Sequence, residues 1–161
     1  MATNNVIRLL QSRKIPFTAY DLPAIKLGAL ETARLLEVPP DIVYKTIVVI
    51  RDKAGKPILA IIPGPNEVDL KALAACAREK KVILPSEREA EQLTGLQAGG
   101  ISPLALINKG FQVILDDSVR KHDQIHISGG QRGLNIRLPV AAIIQLTNAH
   151  LGHISDPVKS V

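Results

Sequence analysis

The chain has 161 residues, of which 46% are hydrophobic and 22% charged, the proportions of a single soluble globular domain spanning 1–161. No apolar run approaches the about 18 residues that a membrane span needs, and the N-terminus lacks the basic and apolar regions of a secretory signal. One cysteine, Cys76, excludes an internal disulfide framework, so we expect a cytoplasmic protein. The net charge of +5 favours an anionic partner such as RNA, whereas two Phe, two Tyr and no Trp argue against extensive base stacking.

Helices and short strands follow one another without regular alternation, and no repeat or linker divides the chain. The first half predicts, in order, a helix that begins after Thr3 or Asn4 and ends at Pro16, a strand at 17–20, a helix around 30–36, a strand at 44–51, a hairpin turn at 52–55 and a return strand at 57–63.

The second half predicts a helix capped by Asp69, a short strand at 82–84, a helix from the capping box of Ser86 and Glu89 to Gly95, strands at 111–115, 124–128 and 135–138, and a helix at 140–146. Beyond Ala149 we expect a loose tail, 149–161. Because several strands are joined by short turns, the sequence predicts an α+β fold with a mixed, mainly antiparallel sheet flanked by helices.

Lys45 stands near the start of a β-branched run, where a mostly buried strand is expected. A strand lysine commonly extends its ammonium to water along an apolar stem, and this is the ordinary structural explanation. The functional alternative is a cation that binds a phosphate or polarises a carbonyl, a task that suits a compact charge with three donors. The residues alone leave both explanations open.

Two glycine-rich segments, Gly99-Gly100-Ile101-Ser102-Pro103 and Ser128-Gly129-Gly130-Gln131-Arg132-Gly133, are typical of tight turns. Such turns also present backbone N–H groups to oxyanions and carbonyl oxygens. The second segment is neither a G-x-G-x-x-G dinucleotide fingerprint nor a phosphate loop with its Gly-Lys-Ser/Thr ending. We predict that N–H groups of the first segment line a pocket, and that Ser128, Gly129 and Gly130 hydrogen-bond the polar atoms of a ligand.

The remaining reactive residue types favour structural explanations. Cys76 lies in an alanine-rich helix interior and is expected to be a small buried hydrophobe rather than a nucleophile. His150 and His153 have helical spacing, but no cysteine or carboxylate in the pattern completes a ligand set. We therefore expect neither a metal nor another cofactor.

Three motifs occur in order over about Val6 to Thr147: Tyr44-Lys45-Thr46, then Thr94-Gly95 followed by Gly99-Gly100-Ile101-Ser102-Pro103, then Ser128-Gly129-Gly130-Gln131-Arg132-Gly133-Leu134. Together they resemble the YbaK/EbsC family of aminoacyl-tRNA editing domains. Its members include free-standing Cys-tRNA(Pro) deacylases and the insertion domain of bacterial prolyl-tRNA synthetase. The resemblance implies a curved, barrel-like sheet.

The same resemblance assigns roles to individual residues. It implies that Lys45 is required for activity, that the first glycine segment shapes the substrate pocket, that Ser128 contributes to activity and that Tyr20 lies near the pocket. An aspartate commonly stands where this chain has Asn135, and a glycine often stands where it has Ala105. Asn135 keeps the capacity to form hydrogen bonds but lacks the negative charge that would bind an α-ammonium group.

The function that the resemblance implies is trans-editing, the cleavage of a mischarged amino acid from the tRNA 3′ end. The expected substrate is Cys-tRNA(Pro), cleaved with help from the substrate's own thiol, and prolyl-tRNA synthetase is a possible partner. A water-mediated deacylase of another mischarged tRNA such as Ala-tRNA(Pro), a noncatalytic module that binds tRNA or a synthetase, and a small-molecule-binding protein remain as alternatives. The sequence leaves the oligomeric state open.

Overall fold

A computed structural model of the protein describes residues 4–158. In this range the helices are Asn5–Ser12 (α1), Ala29–Leu36 (α2), Leu70–Ala77 (α3), Glu87–Thr94 (α4) and Val140–Thr147 (α5). The strands are Thr18–Asp21 (β1), Tyr44–Arg51 (β2), Ile58–Pro63 (β3), Asn66–Val68 (β4), Val82–Ile83 (β5), Gln112–Asp116 (β6), Gln124–Ser128 (β7), Leu134–Pro139 (β8), His150–Gly152 (β9) and Ser155–Pro157 (β10). None of the helices within 4–158 is long and apolar enough to cross a membrane.

Local capping signals explain where several helices begin and end. Asn4 caps α1 by accepting a hydrogen bond from the Ile7 N–H at 2.9 Å, and Asp69 caps α3 in the same way. Ser86 and Glu89 form the predicted capping box of α4, which ends at Gly95 with a φ of 73°. These predicted boundaries are therefore confirmed. The other predicted cap, Thr3, lies outside the described residues.

The strands form a mixed and mainly antiparallel arrangement. One sheet has the order β5-β2-β3-β6-β9, a second has the order β1-β8-β7, and β4 pairs with β10. The β3–β6 and β6–β9 pairs are parallel, and every other strand pair is antiparallel. The predicted α+β class with a mixed, mainly antiparallel sheet is confirmed.

The expectation of a barrel-like sheet is wrong with respect to closure. Among the described residues, a single parallel bridge between Val43 and His126 joins the three-stranded sheet to the five-stranded sheet. A barrel needs a continuous ladder of hydrogen bonds around its circumference. One bridge does not supply that ladder, so the sheets curve beside each other without closing.

The five-stranded sheet separates two hydrophobic cores. Along β3, Leu59 and Ile61 face the larger core, which α1, α5 and the three-stranded sheet cover. Ile58, Ala60 and Ile62 face the opposite core, which α3 covers. Because alternate residues of a strand point to opposite faces, β3 is buried on both sides. This central strand fixes which face of its neighbour β2 each side chain occupies.

The segment predicted to be a loose tail is ordered over most of its length. His150–Gly152 extends the large sheet and Ser155–Pro157 pairs with β4. The buried Asp116 carboxylate accepts a hydrogen bond from the Ile154 N–H at 3.1 Å, and the Ile154 side chain is fully buried. A short polar segment without clear periodicity gives no local signal of such long-range contacts, which explains the wrong prediction. Residues 159–161 lie outside the described part of the chain.

The contact between β9 and α3 generates a prediction about stability. A methyl group added at Gly152 would lie 2.4 Å from the Cys76 sulfur. Overpacking of this kind costs about 1–3 kcal/mol, so Gly152→Ala should lower the free energy of unfolding measured in urea by about that amount. Cys76→Ala removes the obstructing sulfur, and the Gly152→Ala/Cys76→Ala double variant should recover stability relative to the sum of the single changes. Simple additivity of the two effects would contradict the packing described for β9.

Candidate active site

A pocket of about 520 Å³ opens between the two larger sheets. Its walls come from β2, β3, β4, β7 and β8, from the segments that precede α2 and α4, and from the loop after α4. Apolar side chains such as Ile47, Ile62 and Leu134 line most of the interior, and Lys45, Ser128 and Asn135 add polar groups. A concave, mostly apolar pocket with a few polar groups is the usual form of a small-molecule site.

Lys45 reaches the pocket because of the register between β2 and β3. It pairs with Ile62, and the next residues on its face, Ile47 and Val49, pack in the smaller core. The lysine therefore lies where that apolar face ends and the pocket begins. Its Nζ donates a hydrogen bond to the Gly64 carbonyl oxygen at 3.1 Å.

The Lys45 ammonium is partly shielded from water. Burial lowers the pKa of the ammonium from its usual value, and the nearby Glu67 carboxylate opposes this by favouring the charged form. Glu67 also lines the pocket. In its charged form the ammonium is incompletely hydrated, and such a cation interacts strongly with an anion or a carbonyl oxygen.

The bridge between the two sheets brings Lys45 and Ser128 to neighbouring positions. Val43 and His126 pair in parallel, and Lys45 and Ser128 each lie two residues further along their strands. Alternate residues share a face, so both side chains occur on the pocket side. The Ser128 hydroxyl oxygen accepts a hydrogen bond from the Gly130 N–H at 3.2 Å, which leaves the hydroxyl proton available to a ligand.

Asn135 and Tyr20 share this polar face of the three-stranded sheet. Asn135 pairs with Ser128 on one side and with Tyr20 on the other. Asn135 is buried and lines the pocket, whereas Tyr20 is half-buried beside it and is not part of the pocket lining. The Tyr20 ring packs against His126 with 5.5 Å between ring centroids.

The two glycine-rich segments pack directly on each other. A side chain at Gly100 would lie 2.9 Å from backbone atoms of Gln131 and Arg132. The Arg132 guanidinium donates a hydrogen bond to the Ala98 carbonyl oxygen at 2.7 Å. The absence of a side chain at Gly100 is therefore required for contact between the loops, and this contact builds one wall of the pocket.

The prediction that the glycine N–H groups face a ligand is wrong at three positions. The Gly100 N–H donates to the Gln97 carbonyl, the Gly129 N–H to the Leu134 carbonyl and the Gly130 N–H to Ser128. Turns this tight satisfy their own donors because buried N–H groups need partners. Gly99 does line the pocket, with a φ of 88°.

The other residues of the two segments divide between the pocket and the larger core. Ile101 lines the pocket. Ser102 and Pro103 are buried away from the pocket lining, and the Ser102 hydroxyl accepts a hydrogen bond from the Leu104 N–H at 3.2 Å.

The glycines of the second segment pack against neighbouring side chains. A side chain at Gly129 would collide with Leu134, and one at Gly130 would approach Val6 and Ala105. The Ala105 methyl thus lies against the second glycine loop.

Sequence reasoning missed three polar groups near the pocket. Glu67 belongs to the short strand β4, which gives no recognisable pattern. Lys26 and Glu87 form an exposed ion pair of 2.5 Å between two parts of the pocket lining. Such an exposed pair is worth about 0–1 kcal/mol.

Cys76 and the C-terminal histidines are not part of the pocket lining. Cys76 lies in α3 and packs beside the smaller core, but it is half-buried rather than buried as predicted. The exposed His153 lies beside the buried Asp116 and the half-buried Asp117, and one side-chain N or O atom of each residue lies within 4.8 Å of the others. Asp116 accepts backbone hydrogen bonds from Ile154 and Ser118, so this carboxylate already has structural partners.

Comparison with known proteins agrees with the geometry. The family model described as "Aminoacyl-tRNA editing domain" matches residues 27–146. A protein of Enterococcus faecalis named "Putative Cys-tRNA(Pro)/Cys-tRNA(Cys) deacylase EbsC" is 33% identical over 153 residues, which are 94% of this chain and 92% of that protein.

Solved structures show the same fold at low sequence identity. The structure of "hypothetical protein APE2540" has a TM-score of 0.86 at 22% identity and covers 95% of this chain and 100% of its own. A structure described as "a putative trans-editing enzyme for prolyl tRNA synthetase" has a TM-score of 0.78 at 20% identity and covers 97% of this chain and 99% of its own. The chain belongs to the aminoacyl-tRNA editing domains of the YbaK/EbsC family, and it is an editing deacylase of aminoacyl-tRNA.

The packing between the glycine loops can be tested by adding single methyl groups. Gly100→Ala should lower the free energy of unfolding by about 1–3 kcal/mol, because backbone atoms cannot move aside as a flexible side chain can. Gly28→Ala is the matched control, since Gly28 also lines the pocket but an added methyl meets nothing within 4 Å. That control should change the free energy of unfolding by less than about 1 kcal/mol, because alanine is a poorer helix N-cap than glycine but adopts the Gly28 φ of −75° and loses less backbone entropy on folding. Equal stability of the two variants in urea denaturation would contradict the loop contact.

Proposed function

We propose that this editing domain acts in trans on Cys-tRNA(Pro) and cleaves the ester between cysteine and the 3′-terminal ribose. The observation that carries the proposal is the partly desolvated Lys45 ammonium, held at the pocket wall beside Ser128 by the sheet register. The 33% identical relative whose name gives this substrate supports the choice of amino acid. A pocket of about 520 Å³ is within the usual range for a small ligand.

Lys45 supplies positive charge where the reaction needs it. When a nucleophile attacks the ester carbonyl, negative charge develops on the carbonyl oxygen. An ammonium in a partly dehydrated pocket stabilises that charge more strongly than it would in water. The same ammonium can orient the terminal nucleotide through its phosphate or ribose, and both tasks favour a compact cation.

The other polar groups of the pocket are suited to orientation. The Ser128 hydroxyl proton and the Asn135 amide can hydrogen-bond the substrate, and Ile47 and Ile101 add apolar surface to the pocket wall. Cys76 is not part of the pocket lining, and the Ser128 hydroxyl is hydrogen-bonded to a backbone N–H. Correct orientation of reacting groups can by itself supply several kcal/mol.

The nucleophile in this proposal is the thiol of the substrate cysteine. Its deprotonated sulfur attacks the ester carbonyl carbon, the bond between that carbon and the ribose oxygen breaks, and the oxygen takes up a proton. The products are deacylated tRNA and a cyclic thioester of cysteine, which water hydrolyses later. The pocket contributes only to the recognition of the aminoacyl end, and we assign the selection of tRNA(Pro) to a partner, prolyl-tRNA synthetase.

Replacement of Lys45 tests whether its ammonium is required for deacylation. Lys45→Ala should reduce the rate of deacylation of Cys-tRNA(Pro) by at least about a hundredfold, the loss typical for one oxyanion-stabilising donor. Lys45→Arg should also be poor, because a planar guanidinium does not replace a compact ammonium in this pocket. Thermal denaturation of both variants controls for folding. Wild-type turnover by a folded Lys45→Ala variant would show that the site has been placed wrongly.

A comparison of Ser-tRNA(Pro) with Cys-tRNA(Pro) tests whether the substrate thiol is the nucleophile. A thiol has a pKa near ~8.5 and provides a usable fraction of thiolate at neutral pH, whereas an alcohol does not. Single-turnover deacylation of Ser-tRNA(Pro) should therefore be much slower than that of Cys-tRNA(Pro), although the two side chains are nearly isosteric. Cys76→Ser should leave the rate on Cys-tRNA(Pro) largely unchanged. Similar rates for both esters would point to an activated water, and a folded but inactive Cys76→Ser variant would point to a protein nucleophile.

A further inference from the structure

His126 is a buried histidine that lies next to the pocket. It lies two residues before Ser128 on β7, on the same face of the three-stranded sheet, and is only 1% exposed. Its Nδ1 is 2.8 Å from the Oδ1 of Asn135. The Tyr20 ring packs against the imidazole. His126 thus makes direct contact with one of the polar residues of the pocket.

The surroundings of His126 favour the neutral imidazole. Burial lowers its pKa, the hydrogen bond to Asn135 acts in the opposite direction, and the positive charge of Arg137 on the neighbouring strand lowers it further. A neutral imidazole carries one N–H and one acceptor nitrogen. The position of that single proton decides what Asn135 can offer to a ligand.

Hydrogen bonding places the proton on Nδ1. The Nε2 atom is buried and has no hydrogen-bond partner among the described residues. A proton on Nε2 would therefore be a buried donor without an acceptor, which is unfavourable because the desolvation of the N–H is not compensated. With the proton on Nδ1, the imidazole donates to the Asn135 Oδ1 and no donor is left unpaired.

This arrangement fixes the orientation of the Asn135 amide. Its Oδ1 accepts from His126, so its Nδ2 carries the two N–H donors that remain. In the described part of the chain Nδ2 has no hydrogen-bond partner, yet it is not among the fully buried unpaired atoms, and Asn135 lines the pocket. The free donors are therefore accessible from the pocket.

We propose that His126 is a positioning residue that holds Asn135 as a hydrogen-bond donor to an oxygen atom of the substrate, either the ester carbonyl or a ribose hydroxyl. The Asn135 oxygen is held against His126, so the part of the amide that is accessible from the pocket is its NH₂ group, and an N–H donor does not bind an α-ammonium group. The amine of the substrate therefore binds elsewhere. This inference rests on the proposed function for the identity of the substrate. According to this proposal, the Asn135 NH₂ group binds a substrate oxygen that can accept a hydrogen bond.

Two substitutions at His126 separate positioning from packing. His126→Asn retains an N–H donor near the position of Nδ1, whereas His126→Leu fills the space without a donor. His126→Leu should lower kcat/KM for Cys-tRNA(Pro) by about tenfold, the effect of one lost hydrogen bond, and His126→Asn should recover most of it. His150→Asn, at an exposed site on β9, is the matched control and should behave as wild type.

The Asn135→Ala background provides the decisive comparison. If His126 acts through Asn135, His126→Leu should cause little further loss of kcat/KM once the amide has been removed. An equal loss in both backgrounds, with folding verified by thermal denaturation, would overturn the positioning role and leave a packing role.

Nitrogen-15 NMR of the wild-type protein reads the tautomer independently of turnover. The proposal requires a proton on Nδ1 of His126 at neutral pH, and a proton on Nε2 would overturn it. A stable 3′-amide analogue of cysteinyl-adenosine should then shift the Asn135 side-chain NH₂ resonances, and binding without such a shift would exclude the amide as a ligand donor. If wild type fails to deacylate Cys-tRNA(Pro), the proposed function fails, whereas the tautomer still decides whether His126 orients Asn135.

Discussion

The site depends on the register between β2 and β3. Lys45 pairs with Ile62 and follows the same face as Ile47 and Val49, while Tyr44 and Val48 point into the larger core. A shift of one residue would exchange the two faces and place the ammonium in an apolar core. The fully buried strand β3 prevents that shift, because its own side chains are packed on both faces. The lysine is thereby held where the apolar face ends.

Close backbone packing is the second requirement for the pocket. Gly100 lies against the backbone of Gln131 and Arg132, and Gly129 lies against Leu134. The N–H groups of Gly100, Gly129 and Gly130 bond within the protein, so these glycines shape the wall rather than provide donors. The donors to a ligand come instead from side chains on strands, namely Lys45, Ser128 and Asn135. Side chains on strands are held more rigidly than loop backbone, as an orienting site requires.

Much of the fold was predictable because its signals are local. The strand at 44–51, the cap at Asp69 and the capping box of Ser86 and Glu89 are read from a few neighbouring residues. The strands β4, β9 and β10 were not predictable, because each has three residues and depends on distant partners such as Asp116. The sequence predicted Lys45 and Ser128 as site residues, whereas it gave no indication that His126 contacts the pocket residue Asn135. A histidine in an alternating strand gives no sign that it will contact an asparagine nine residues away.

The measurement that tests this account most directly is a crystal structure of the protein with the stable 3′-amide analogue of cysteinyl-adenosine. The account predicts the cysteinyl group inside the pocket, with Lys45 Nζ, the Ser128 hydroxyl and Asn135 Nδ2 within about 3.2 Å of ligand oxygen atoms. A ligand bound elsewhere, or one in the pocket whose oxygen atoms are out of reach of Lys45 while its Nζ keeps its bond to Gly64, would contradict it.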